Sequence, residues 1–201
     1  MPTHLPARCC TLVSLALIAT SLGCAATSPY MHSQPPSPLI RPGPNQAQVV
    51  FVRPSSFAFG LKFTILDHSG RFLGDSLPRS QFAVMVPPGR HVFIVWAENT
   101  AALRADLAPG RTYFVEVAPR MGAFSARVHL LAITPRRASW LERDAWLQAT
   151  ERLQSDFVAG QSYLTARGPD TMERVRRALE HLQQYDAAEL ADRTITPADG
   201  I

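Results

Sequence analysis

The chain predicts a mainly β fold: an antiparallel β-sandwich of about seven to eight strands, followed by a C-terminal α-helical hairpin. Three observations point there. From Phe82 to Trp96, two apolar runs rich in β-branched and aromatic residues flank Pro87-Pro88-Gly89. Proline fixes φ and glycine supplies φ > 0, so the stretch reads as two strands joined by a tight turn. Comparable short runs, separated by Gly/Pro signals, recur between residues 47 and 134, and beyond residue 135 the apolar period changes to that of a helix.

The strands follow in order. Residues 48–53 form the first, stopped by Pro54, and residues 55–60 a loop. Leu61, Phe63 and Ile65 share one face of the second, and the turn 67–70 leads into a short strand at 71–74. Phe82, Val84 and Val86 line the strand before the central turn, and Val92, Ile94 and Trp96 the strand after it. A strand at 101–107 ends at Ala108-Pro109-Gly110. Tyr113, Val115 and Val117 then alternate with polar or outward residues, as do Phe124, Ala126, Val128 and Leu130.

The N-terminus reads as an address. Arg8 precedes a ten-residue apolar core at 11–20, and Ser21-Leu22-Gly23-Cys24 follows. This order is that of a secretory signal, and the run is too short to span a bilayer comfortably. The end of the signal resembles the lipobox of bacterial lipoproteins, in which a cysteine is diacylated and becomes the first mature residue. Gly23 and Cys24 match its most restrictive positions, while Ser21 stands where leucine is usual. The resemblance implies removal of residues 1–23, lipidation at Cys24 and a membrane partner, with Ala25 rather than Asp leaning towards the outer membrane facing the periplasm. The rival reading is ordinary cleavage after Ala26, giving a periplasmic or secreted protein. Residues 24–46 then form a tether: residues 25–46 hold six prolines in 22 residues and no periodic apolar face, which favours extended polyproline II.

Residues 47–134 carry further familiar motifs in order: Val50 to Ser56, the Gly-Arg-Phe-Leu-Gly of 70–74, Val86 to His91, and Leu107 to Val117. In this order they resemble the bacterial lipoprotein family known as domain of unknown function 2846. The resemblance implies a sandwich and frequent lipoboxes, and it carries no catalytic residue.

Residues 135–201 predict a helical hairpin and a frayed tail. Ser139 with Glu142, and Asp170 with Glu173, have capping-box spacing. Trp146, Thr150, Leu153, Phe157 and Leu164 keep a helical period up to a break at Gly168-Pro169, and Met172, Val175, Leu179 and Leu182 form the next stripe. These stripes either pack on each other and partly on the sandwich or dock a partner, an envelope protein or a second copy of the chain, with Trp140 and Trp146 as anchors. Arg174, Arg176 and Arg177 read as a solvated face or as contacts for lipid headgroups.

The formal charge is +4. Neither a dense basic stripe nor interleaved aromatics mark a nucleic-acid binder. All three cysteines, Cys9, Cys10 and Cys24, lie in the first 24 residues, so the folded part has no disulfide or thiolate metal site. His32, His68, His91, His129 and His181 lack zinc spacing. His68 with Asp67, Ser69 and Asp75 is the one cluster suggestive of acid–base work, and its Gly-ended context is that of a turn. The reading is therefore a non-enzymatic binding or scaffold module without catalytic residue, metal or cofactor. The alternative is a secreted or envelope domain binding lipid or carbohydrate in a cleft lined by residues such as Trp96 and Phe57.

Overall fold

The computed structural model describes residues 25–122 and 126–201. The chain is mainly β, with eleven strands among the described residues: β1 (Met31–Ser33), β2 (Ala47–Arg53), β3 (Phe63–Asp67), β4 (Phe72–Ser76), β5 (Ser80–Val86), β6 (Gly89–Trp96), β7 (Thr100–Leu107), β8 (Thr112–Met121), β9 (Ala126–Ile133), β10 (Glu151–Ser155) and β11 (Thr194–Ile195). The helices α1 (Ser139–Ala149), α2 (Phe157–Thr165), α3 (Gly168–Gln184) and α4 (Ala187–Asp192) lie in the C-terminal third. The strands make a six-stranded sheet, β1-β10-β5-β2-β8-β9, and a five-stranded sheet, β11-β7-β6-β3-β4.

Both sheets are mixed, which corrects the expected antiparallel sandwich of seven to eight strands. β2 pairs with β8, β10 with β5 and β11 with β7 in parallel. Alternation marks strands but does not say which strands pair, and each of these partners is distant in sequence. The run β2 is the clearest case, because all seven of its residues are buried. Val49 and Phe51 enter the core between the sheets, where the Phe51 ring stacks on Phe82 at 5.2 Å and meets Phe93 of the other sheet edge-on at 5.4 Å. Val50 and Val52 lie on the opposite face, with Phe114, Ile133, Trp140 and Trp146. A strand covered on both faces is the kind that central, parallel pairing uses.

Pro87-Pro88-Gly89 is likewise not a hairpin. The flanking strands exist, but β5 belongs to the first sheet and β6 to the second, so the chain bends from one layer to the other there. Gly89 takes the positive φ, 111°, that the bend requires. The hairpins that do form are β3–β4, β6–β7 and β8–β9. Phe124, expected on the last strand, lies outside the described residues.

The expected helical hairpin is split. Residues 151–155 form β10, inserted between β1 and β5, so the helical run expected through Leu153 and Phe157 is interrupted. Pairing on both sides overrides local propensity here. Consequently α1 covers the outer face of the six-stranded sheet, whereas α2 and α3 cover Leu66, Phe72, Ile94 and Ala102 on the outer face of the other. The expected capping boxes do not form. Ser139 lies inside α1, and Gly168-Pro169 opens α3 with proline in the first turn rather than breaking it. Asp156 and Asp186 cap α2 and α4 instead. The inward stripe of α3 is Thr171, Val175, Ala178 and Leu182, leaving Met172 exposed.

The tail is not frayed. β11 pairs with β7, Asp199 is buried against Arg136, and Ile201 exchanges backbone hydrogen bonds with Thr112. The expected tether also differs. Met31–Ser33 pairs with β10, Met31 is buried in the main core, and Leu39 packs beside Trp146 under α1. Residues 26–39 are laid on the body rather than holding it away. No helix among the described residues is long and apolar enough to cross a membrane.

Candidate functional site

Strand register defines two ends of the body. Arg53 closes β2 opposite Ser80, Phe63 opens β3 opposite Ser76, and β8 and β9 run out to Met121 and Ala126. The loop 54–62, the turns 77–79 and 97–99 and the tip of the β8–β9 hairpin therefore share one end. The bends at 87–89 and 108–111 lie at the other.

The loop 54–62 is held from inside by Arg53, the largest fully buried side chain. Its Nη1 donates to the Leu61 carbonyl at 2.8 Å and to the Ser76 carbonyl at 3.4 Å, and its Nη2 donates to the Phe57 and Ala58 carbonyls, each at 2.8 Å. The guanidinium also sits 4.4 Å over the Phe63 ring. Among the described residues no carboxylate pairs with Arg53. Burial lowers its pKa to about 10, still far above neutrality, so the cation stays charged and is solvated by main-chain oxygens. The sequence signal was the terminal arginine of an otherwise apolar strand, stopped by Pro54, but its partners come from the loop's backbone and leave no side-chain pattern.

Next to it the N-terminal segment is pinned at four residues. The Ala26 amide donates to the Phe59 carbonyl at 2.9 Å. Ser28 Oγ donates to Asp75 Oδ2 at 2.6 Å, and this fully buried carboxylate also accepts from Thr64 Oγ1 at 2.6 Å and pairs with Lys62 Nζ at 2.7 Å. Tyr30 then packs against Phe72 and Tyr163, and the Met31 sulfur lies 3.1 Å from the Asp75 amide. Asp75 is thus a structural node joining β4, β3 and the N-terminal segment.

An apolar groove of about 920 Å³ lies between α2 and strands β4 and β5. Leu73, Val84, Met85, Phe157 and Val158 line it, with Arg71 and Ser162 among its polar groups. Its wall depends on Gly160, where a Cβ would come within 2.2 Å of the Phe72 ring, and on Gln161, whose Oε1 accepts from the Phe72 amide at 2.9 Å. The spacing of apolar residues on α2 hints at neither contact.

The residues singled out in the sequence fall as follows. Cys24 lies outside the described residues. Trp140 and Trp146 are half-buried against Val50, Val52 and Phe114, and Trp140 carries Arg143 at 4.2 Å, so both rings pack largely on their own sheet. Trp96 lies beneath Arg174 on the α3 side, while Phe57 is in the end loop; the groove contains neither. Arg176 and Arg177 pair with Glu173, and Arg176 also with Glu180. His68 is exposed and apart from Asp75. Asp67 accepts from the Ser69 amide and hydroxyl, the Arg71 amide and Arg71 Nε. Burial opposes its ionisation, but those bonds outweigh it and hold the carboxyl below its usual range. That arrangement locks the β3–β4 turn. No group of three or more His, Cys, Asp or Glu side chains suited to a metal occurs among the described residues.

No family model, curated protein or solved structure matches the chain.

Proposed function

We propose that this chain is a lipid-anchored protein of the bacterial cell envelope, acylated at Cys24, whose two-sheet body serves as a non-enzymatic binding or scaffold module against the membrane. The observation that carries the reading is the bond from the Ala26 amide to the Phe59 carbonyl. It holds the chain against the body two residues after Cys24, so an anchor at Cys24 would bring the body to the bilayer rather than leave it on a long leash. Gly23-Cys24 and the resemblance of 47–134 to the lipoprotein family support the anchor, and Ala25 supports the outer membrane. Each buried acyl methylene contributes ~0.8 kcal/mol, so two or more chains retain the protein stably. Labelled palmitate fed to expressing cells should enter the wild type and not Cys24→Ala, and the label should fractionate with membranes. Wild-type protein that is unlabelled and free of membranes would refute the reading.

The apolar groove favours a second reading, a small-ligand module. Its volume and lining suit an acyl chain or another apolar group rather than a carbohydrate, which needs a denser set of hydrogen-bonding side chains. A fluorescent fatty-acid probe should bind the wild type and lose at least about tenfold in affinity in Ser162→Trp, which fills the groove. No binding by the wild type would remove this reading.

A further inference from the structure

The loop 54–62 exposes large apolar side chains that its own body leaves uncovered. Phe57, Phe59 and Leu61 are 38%, 52% and 38% exposed, and residues 54–61 carry no charge. These rings are not on a loose strand. The Phe57, Ala58 and Leu61 carbonyls are held by Arg53, and the Phe59 carbonyl takes the Ala26 amide. The backbone is fixed inward while the side chains remain partly in solvent. At the same end Met121, 76% exposed, stands at the tip of the β8–β9 hairpin. Exposed Arg79, whose amide donates to the Ser55 carbonyl, lies next to the loop, and exposed Arg120 and Arg127 lie on the β8–β9 hairpin at the same end, which also carries the exposed acids Glu98 and Glu151. A hydrophobic loop at an end with three exposed arginines against two exposed acids matches the two layers of a phospholipid surface, anionic headgroups over acyl chain.

We infer that this end of the body inserts Phe57, Phe59 and Leu61 into the interfacial region of an anionic phospholipid bilayer, fixing the orientation of the domain on the membrane. The inference rests on the proposed anchor at Cys24. Two residues span at most about 7 Å, so an acyl chain on Cys24 must enter the bilayer beside the loop that Ala26 touches. A floppy spacer would leave the orientation free; a docked one presents this end and no other.

The test uses the full-length protein in vesicles of phosphatidylglycerol and phosphatidylcholine brominated in the upper acyl chain. Phe59→Trp should be tolerated, because the backbone carbonyl of this residue accepts the Ala26 amide and its ring is exposed. Arg90→Trp, at the opposite end, is the control. The signal is the emission added to that of the parent, which holds Trp96, Trp140 and Trp146, and palmitate labelling is read on the same preparations. The inference expects labelled protein, Phe59→Trp emission quenched by about half, and Arg90→Trp emission unchanged. Labelled protein with Phe59→Trp no more quenched than Arg90→Trp would overturn the inference while the anchor stands. Unlabelled protein with Phe59→Trp still quenched would remove the anchor and uphold the membrane contact. Unlabelled and unquenched protein would overturn both.

Discussion

Replacing Arg53 separates the stability of the body from the order of its end loop. Three of its bonds, to Leu61, Phe57 and Ala58, are 2.8 Å long. At ~1.5 kcal/mol each for a charged donor, they contribute on the order of 4 kcal/mol. Against this stands the cost of burying the cation, which lowers its pKa to about 10 and corresponds to roughly 3 kcal/mol. Arg53→Met keeps most of the volume, relieves the buried charge and loses the bonds, so its net destabilisation should be small, about 1 kcal/mol. Arg53→Ala also removes the packed stem and leaves a cavity, adding about 3 kcal/mol. Urea unfolding should therefore rank wild type, Met and Ala in that order. Hydrogen exchange at the amides of residues 55–62 should instead rise at least about tenfold in both variants, because the carbonyls that fixed the loop have lost their donor. Wild-type exchange rates in the loop of Arg53→Met would refute the idea that the guanidinium organises it.

Other perturbations test the remaining joints. Met31→Ala should cost about 2–3 kcal/mol in urea unfolding, since this buried residue sits in the core between the sheets; a cost below about 0.5 kcal/mol would make residues 25–46 a mere spacer. Gly160→Ala should destabilise by about 1–3 kcal/mol despite alanine's better helix propensity, because the added Cβ meets the Phe72 ring; a rise in melting temperature would mean α2 is not seated on β4. Burial first, and then the neighbouring Arg193, hold the pKa of His129 below its ordinary 6.5. The unfolded chain therefore binds the proton more tightly, so this contribution to stability is present above pH ~6.5 and falls as pH drops through the imidazole range. The urea midpoint should fall between pH 7.5 and 5.5 by less in His129→Gln than in the wild type; equal slopes would refute the assignment. The depressed carboxyls of Asp67 and Asp199 act lower, adding a loss only below about pH 4.

Much of the strand layout was legible because burial on one side leaves a period of two. β3, β6, β7 and β8 lie close to where Ile65, Ile94, Leu103 and Val115 place them. Pairing was not legible: the same Pro-Pro-Gly signal suits a hairpin and a passage between layers. One clue lay in the runs that do not alternate, since a strand such as β2, with Val49 to Val52 all buried, must be covered twice. α1 and the α2–α3 pair supply those covers. β10 left no trace because Leu153 is its one buried aliphatic side chain and its order comes from β1 and β5. The N-terminal segment was hidden for a different reason: prolines discourage regular structure, yet Ser28 and Met31 dock through a buried carboxylate and a core gap that no local pattern announces. Of the candidate site, Phe57 and Phe59 were visible as apolar residues in a loop; Leu61, expected on the second strand, lies instead in the loop before β3, and the Arg53 clamp and the Ala26 contact arise wholly from tertiary structure.

The most direct measurement is the intact mass and N-terminal residue of the mature protein isolated from cell envelopes. The account predicts a chain that begins at Cys24 and carries two or three acyl chains, with Ala26 retained against Phe59. A mature chain beginning at Thr27 without acyl groups would contradict it, removing both the anchor and the residue that ties the anchor to the loop.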